Sequence, residues 1–285
     1  MSFVSEIKNS FRESAMSAKL IYINLALFLI IRLSDLLAMF DIIPYDAVLS
    51  YLVMPTEFDK FILRPWTLLT YMFCQYDFIH LLFNMLFLHW FGRLFSAVIG
   101  DRHVLSTYLI GGLVGGLACL VGLMVTDLDR GVLLGASAAV LSLLLAVAVI
   151  APNYSVQIVF VGSVRLKYYA AVMILLDIIC LPTFVNIGGH FSHLGGALAG
   201  VVLAMMWKRN GVPQRNAVMD WLSNFRKPKM KVARGGRVQT DYEYNSERVD
   251  RMKDVDRILD KIKASGYDSL TVEERKTLFD NSKKL

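Results

Sequence analysis

Six largely apolar stretches, most of them near twenty residues long, dominate this chain and constrain it to a membrane. They run from about Leu20 to Phe40, Phe78 to Ile99, Val104 to Val125, Val132 to Ile150, Lys167 to Leu181 and Ile187 to Trp207. About 20 helical residues, each advancing about 1.5 Å, cross the roughly 30 Å hydrocarbon core of a bilayer. The first and fifth stretches are the least apolar, carrying Arg32 with Asp35 and Asp177 respectively. The chain is 55% hydrophobic and 19% charged, and the charges gather at the ends and in short gaps. A soluble domain holds roughly 45–50% apolar and about 25% charged residues. The expected architecture is an all-α polytopic membrane protein. It has a cytoplasmic segment over 1–19, a six-helix membrane domain over 20–208, and a basic linker with a short helical tail over 209–285.

Charge sets the orientation. Arg165 and Lys167 follow the fourth stretch, and a run of nine basic residues from Lys208 to Arg237 follows the sixth, opposed up to Thr240 by Asp220. The opposite loops are acidic or neutral: Asp41, Asp46, Glu57 and Asp59 outnumber Lys60 and Arg64, and Asp127 and Asp129 flank Arg130. The excess of Lys and Arg on cytoplasmic loops then places both termini in the cytoplasm, with a cell (inner) membrane as the expected location. The formal charge of +6 is assigned to these loops, and no nucleic-acid partner is expected. Met1 to Lys19 is polar and no small-residue cleavage site lies near the apolar run that follows, so no cleavable signal peptide is expected. Cys74, Cys119 and Cys180 stand singly among apolar residues, as small packing residues do.

Beyond Lys208, residues 210–240 read as a flexible linker. Val249, Met252, Val255, Ile258, Leu259 and Ile262 recur at helical spacing up to Gly266, and Thr271 with Glu274 forms a capping-box pattern opening a second short helix. This tail carries no residue that membrane chemistry needs and is expected to be dispensable for it, its own partner being unassigned.

Polar residues inside membrane helices are costly and point to function. His80 and Asn84 lie near the start of the second stretch, Ser137 early in the fourth, and His190, Ser192 and His193 early in the sixth. These three stretches run in one direction, so all six residues fall at one level, about 5–10 Å below the outer surface. Small residues flank Ser137, and Gly196 and Gly200 share a face with His193, which lets two helices approach backbone to backbone. A serine beside small residues is ordinarily a packing residue, and a lone histidine is as often structural. Their coincidence at one depth favours a nucleophile, Ser137, with a base, His193. His190, one turn nearer the surface, is the rival base. His80 and Asn84, four residues apart on one face, are oxyanion donors on this reading. Asp177 is the one candidate for a third, carboxylate member, and is expected to be structural or interfacial.

The ordered set Pro65-Trp66-Thr67, His80-Leu81-Leu82-Phe83-Asn84, Gly92, Gly100, Gly135-Ala136-Ser137-Ala138 and His193-Leu194-Gly195-Gly196 with Gly200 resembles the rhomboid family over about residues 60–205. The resemblance implies a Ser–His dyad, an oxyanion site from His80 and Asn84, no cofactor, metal or nucleotide, and substrates that are transmembrane segments of other proteins in the bilayer. The chain departs from the family pattern at Ala138, Leu141, Gln75 and the Arg93-Leu94-Phe95-Ser96 region, which bears on rate and substrate preference. The expected function is intramembrane serine endopeptidase. The alternatives are an inactive rhomboid-like protein that binds membrane clients, and a small transporter. A transporter would spread polar residues along the full depth of the bundle, whereas the inner halves of the fourth and sixth stretches are apolar.

Overall fold

The computed structural model describes residues 14–126, 131–158, 162–183, 186–213, 216 and 241–282. Asp127, Asp129, Arg130 and most of the basic run after Lys208 lie outside them. The chain forms two compact units, Met1–Lys227 and Pro228–Leu285.

The first unit is a helical bundle. Helix α1 (Met16–Ala38) leads into a long loop holding α2 (Leu49–Leu52), β1 (Met54–Pro55), α3 (Phe58–Ile62) and α4 (Thr67–Thr70). Then come α5 (Phe78–Val98), α6 (Val104–Thr126), β2 (Val132–Leu133) and α7 (Ser137–Ile150). The hairpin β3 (Ser155–Ile158) and β4 (Gly162–Arg165) leads to α8 (Leu166–Cys180) and α9 (Ile187–Asn210). Among the described residues, α1, α5, α6 and α9 are long and apolar enough to cross a membrane. The other two expected crossings, α7 with 14 residues and α8 with 15, reach only about 21–23 Å at 1.5 Å per residue.

The fourth stretch starts as helix five residues later than its apolar run suggests. Val132 and Leu133 are instead paired antiparallel with Pro55 and Met54. Thr56 reinforces that pairing, its Oγ1 donating to the Gly131 carbonyl at 3.0 Å and accepting from the Gly131 N–H at 2.9 Å. The loop after α1 thus stops the helix short, and Ser137 becomes its first residue.

Helix α7 is buried nearly all round, with Leu143, Leu144, Ala146 and Val147 almost fully enclosed. A helix that is apolar on every face is satisfied only inside a bundle. Its neighbours reach it through small residues. A methyl group on Gly196 would come within 2.2 Å of the Ala138 carbonyl oxygen, and one on Gly200 within 2.2 Å of the Ser142 carbonyl oxygen, so the expected backbone approach of α9 to α7 is present. The outward faces carry Leu29, Ile30 and Leu33 on α1, Leu175 and Ile179 on α8, and Leu198 and Met205 on α9. Apolar exposure on this scale belongs against lipid.

The charged pair in α1 has a local purpose. Arg32 Nη1 meets Asp35 Oδ2 at 3.1 Å, its guanidinium lies 4.0 Å over the Tyr76 ring, and it donates to the Tyr76 carbonyl. It therefore pins the residue just before Asp77, whose Oδ1 caps α5 by accepting the His80 N–H at 2.8 Å.

In the second unit, α10 (Asp241–Ser265) ends before Gly266, which takes a positive φ of 79°. Helix α11 (Val272–Ser282) opens with the expected capping box: Glu274 Oε2 accepts from the Thr271 N–H at 2.8 Å, and Thr271 Oγ1 from the Glu274 N–H at 3.3 Å. Lys261 Nζ bonds Glu274 at 2.9 Å, and its hydrogen bond is the chief cause that draws the Glu274 carboxyl down to about 2.

Candidate active site

Ser137 is the first residue of α7, so its backbone N–H is among the first-turn donors that no intrahelical carbonyl can reach. The positive end of the helix dipole lies at the same place. Two devices fix the turn before it. Gly135 takes φ 122°, a conformation that glycine adopts without strain, and its N–H donates to the Tyr71 carbonyl at 3.1 Å. Its missing side chain also matters: a methyl group there would lie 2.9 Å from His80 Cε1 and 3.9 Å from Asn84 Nδ2. The turn leading to Ser137 is thereby held against the two side chains expected to face an oxyanion.

From α9, His193 reaches across with its Nε2 2.6 Å from Ser137 Oγ. Its Nδ1 lies 2.8 Å from Asp177 Oδ1 on α8. The serine hydroxyl thus donates to Nε2 while Nδ1–H donates to the carboxylate, which fixes both the tautomer and the ring plane. Asp177, expected to be structural or interfacial, has a side chain 8% exposed and directed at the histidine. The rival base also takes a different place. His190 Nδ1 lies 2.8 Å from the same Asp177 Oδ1, and it is His193 that holds the serine.

His80, Asn84, Ser137, Asp177 and His193 line one cavity of about 220 Å³, closed by apolar residues that include Leu141, Leu144, Phe87 and Met173. Leu141, one of the departures noted in the sequence, stands there. Asn84 is buried, and its Nδ2 donates to Gln75 Oε1 at 3.0 Å. Gln75 Nε2 donates in turn to Asn24 Oδ1 at 3.4 Å, and Asn24 Nδ2 to the Tyr108 hydroxyl at 3.4 Å. All four side chains are buried, so this chain of amides ties the orientation of Asn84 to α1 and α6. The sequence reading did not single out Asn24, and it named Gln75 only as a departure from the family pattern. Their signal was present as amides within or beside apolar runs, where a side chain without a partner is expensive.

Residues 239–284 match a family of unknown function. The chain is 31% identical over 131 residues to presenilin-associated rhomboid-like protein A, mitochondrial, of Danio rerio, covering 45% of this chain and 34% of that protein. It is 30% identical over 148 residues to the presenilin-associated rhomboid-like proteins, mitochondrial, of Pongo abelii and Homo sapiens, covering 50% of this chain and 38% of each. The chain thus spans little more than a third of the length of these relatives. Residues 63–210, which hold Ser137, His193, Asp177, His80 and Asn84, match the rhomboid domain, and the chain belongs to the rhomboid family.

Proposed function

We propose that this multi-pass membrane protein is an intramembrane serine endopeptidase that cuts transmembrane segments of other proteins. The observation that carries the reading is the 2.6 Å contact between Ser137 Oγ and His193 Nε2, with the far side of the imidazole on Asp177. In the first step Ser137 Oγ attacks the scissile carbonyl carbon, and its proton passes to His193 Nε2. The imidazolium so formed is stabilised by Asp177. The carbonyl oxygen, now an oxyanion, is met by the Ser137 N–H and by the His80 and Asn84 side chains. The His193 proton then goes to the leaving amine as the C–N bond breaks. A water molecule, deprotonated by the same histidine, releases the acyl group and regenerates the serine.

The apolar wall of the cavity and the lipid-facing helices suit a substrate that is itself a membrane span, one that unwinds at the cut because a peptide bond inside a helix is shielded. On the basic loops, the protein resides in the cell (inner) membrane with both termini cytoplasmic, and it needs no cofactor for hydrolysis. Cleavage of a panel of model transmembrane substrates in detergent or vesicles tests the reading. Wild type is expected to cut, and Ser137→Ala and His193→Ala to be inactive while folded. Wild-type protein that binds such segments without cutting any would assign the chain to client binding instead, and a His190→Ala loss paired with an active His193→Ala would displace the base.

A further inference from the structure

Hydrolysis needs one histidine on the Asp177 carboxylate, and the structure has two. His190 and His193 are one helical turn apart on the same face of α9, and the Nδ1 atoms of both lie 2.8 Å from Asp177 Oδ1. The two rings stand at 90° with centroids 6.1 Å apart, so they approach the oxygen from different directions. All three ligand atoms lie within 4.8 Å of one another. The side chains are sheltered but not sealed, at 8% exposure for Asp177, 17% for His190 and 22% for His193.

We propose that Asp177, His190 and His193 form a binding site for a divalent transition metal of the zinc type, and that the metal inhibits the enzyme. Two imidazole nitrogens and one carboxylate oxygen are a donor set suited to Zn²⁺, with a fourth position left for water. Tetrahedral bonds of about 2.0–2.1 Å separate neighbouring ligand atoms by about 3.3 Å. The Nδ1–Oδ1 pairs need to open by about half an ångström to admit the ion.

The inhibitory half of the proposal rests on the serine-protease reading and follows from proton bookkeeping. With Asp177 accepting from Nδ1–H, His193 presents a bare Nε2 to the serine. A metal on Nδ1 displaces that proton and holds the neutral ring in its other tautomer, with hydrogen on Nε2. The nitrogen facing Ser137 Oγ is then a donor, and the serine has no base. No bond to substrate is involved, so removal of the ion restores the enzyme.

Two measurements separate the site from the activity. In the first, the Ser137→Ala protein, stripped with a chelator, is titrated with Co²⁺ while the visible absorption is recorded, and Zn²⁺ is then added as competitor. The expected result is growth of the intense bands of four-coordinate cobalt, reversed by zinc, with affinity at least about tenfold weaker after a further His190→Ala or His190→Asn change and after Asp177→Asn. The two His190 variants guard against misfolding of either one. Bands that do not develop, or that survive all three substitutions, overturn the site. In the second, cleavage by protein with Ser137 intact is measured against Zn²⁺, each variant relative to its own rate in chelator. The inhibition midpoint is expected to rise at least about tenfold in His190→Ala and His190→Asn. Equal midpoints would overturn the inhibitory mechanism, and cobalt bands in a protein that cuts nothing would support the site while removing the protease reading.

Discussion

At the scale of the residue, the question that decides the chemistry is whether Asp177 belongs to it. A serine and a histidine suffice to move a proton, but an imidazolium formed in a low-dielectric cavity is costly, and a carboxylate 2.8 Å from Nδ1 offsets that cost. The carboxylate also selects the tautomer. Asp177→Asn keeps the shape but can present an amide N–H to Nδ1, which favours a proton on Nε2 and takes the base from Ser137. We expect Asp177→Asn to lower kcat at least about 100-fold, with KM changed little, since the same tautomer fault in a serine triad costs up to about 10⁴-fold. A kcat within a few-fold of wild type in a folded Asp177→Asn protein would return the site to a Ser–His dyad. That Ser137, His193, His80 and Asn84 lie together was legible in the sequence because polar side chains stand out in apolar helices. The contact of Asp177 with His193 was not, since it depends on the rotation of α8 about its own axis, and 15 residues of sequence do not state a rotation.

At the scale of the element, the backbone contact between α7 and α9 sets the serine–histidine distance. Hydrophobic burial cannot favour one helix pairing over lipid contact in a membrane, so close packing has to. Gly196 and Gly200 supply it at Ala138 and Ser142, the first of these being the residue after the serine. We expect Gly196→Ala to push α9 away from α7, to destabilise the fold by about 1–3 kcal/mol, and to remove most activity because His193 is three residues away. Leu198→Ala, a truncation on the lipid-facing side where the side chain is 61% exposed, serves as the control and is expected to leave the melting temperature nearly unchanged. Thermal unfolding in detergent beside a cleavage assay checks both, and a Gly196→Ala protein as stable and active as the control would rule out the distance-setting role. The Gly-xxx-Gly face was readable from spacing. The start of α7 was not, because an apolar run looks the same as helix or as strand, and only the pairing of Met54 and Pro55 with residues 132–133 separates the two.

At the scale of the whole molecule, the membrane unit does not stop where its last helix stops. The linker expected from Asn210 is anchored at its beginning. The His103 ring donates from Nε2 to the Pro213 carbonyl at 3.0 Å and accepts at Nδ1 from Asn216 Nδ2 at 3.0 Å, with Trp207 packed 5.7 Å from its centroid. Asn216 also donates to Ser106 Oγ at 2.8 Å, and both side chains are buried. Nothing in the apolar pattern announces this, since a single histidine and a single asparagine 113 residues apart carry no spacing signal. Where the chain is cut therefore matters. Ending it after Gly211 removes Pro213 and Asn216 and takes the partners from both ring nitrogens of His103, while Ser106 keeps its bond to the His103 carbonyl at 3.0 Å, a loss of about 1–3 kcal/mol for each group stranded. Ending it after Lys227 keeps those bonds and removes the whole of the second unit. We expect the 1–227 protein to melt with the full chain and to cleave a model substrate within a few-fold of it, and the 1–211 protein to melt several degrees lower. A monodisperse 1–227 protein that keeps its melting temperature but has lost all activity would mean that the second unit acts on the catalytic one, and that α10 and α11 are regulatory.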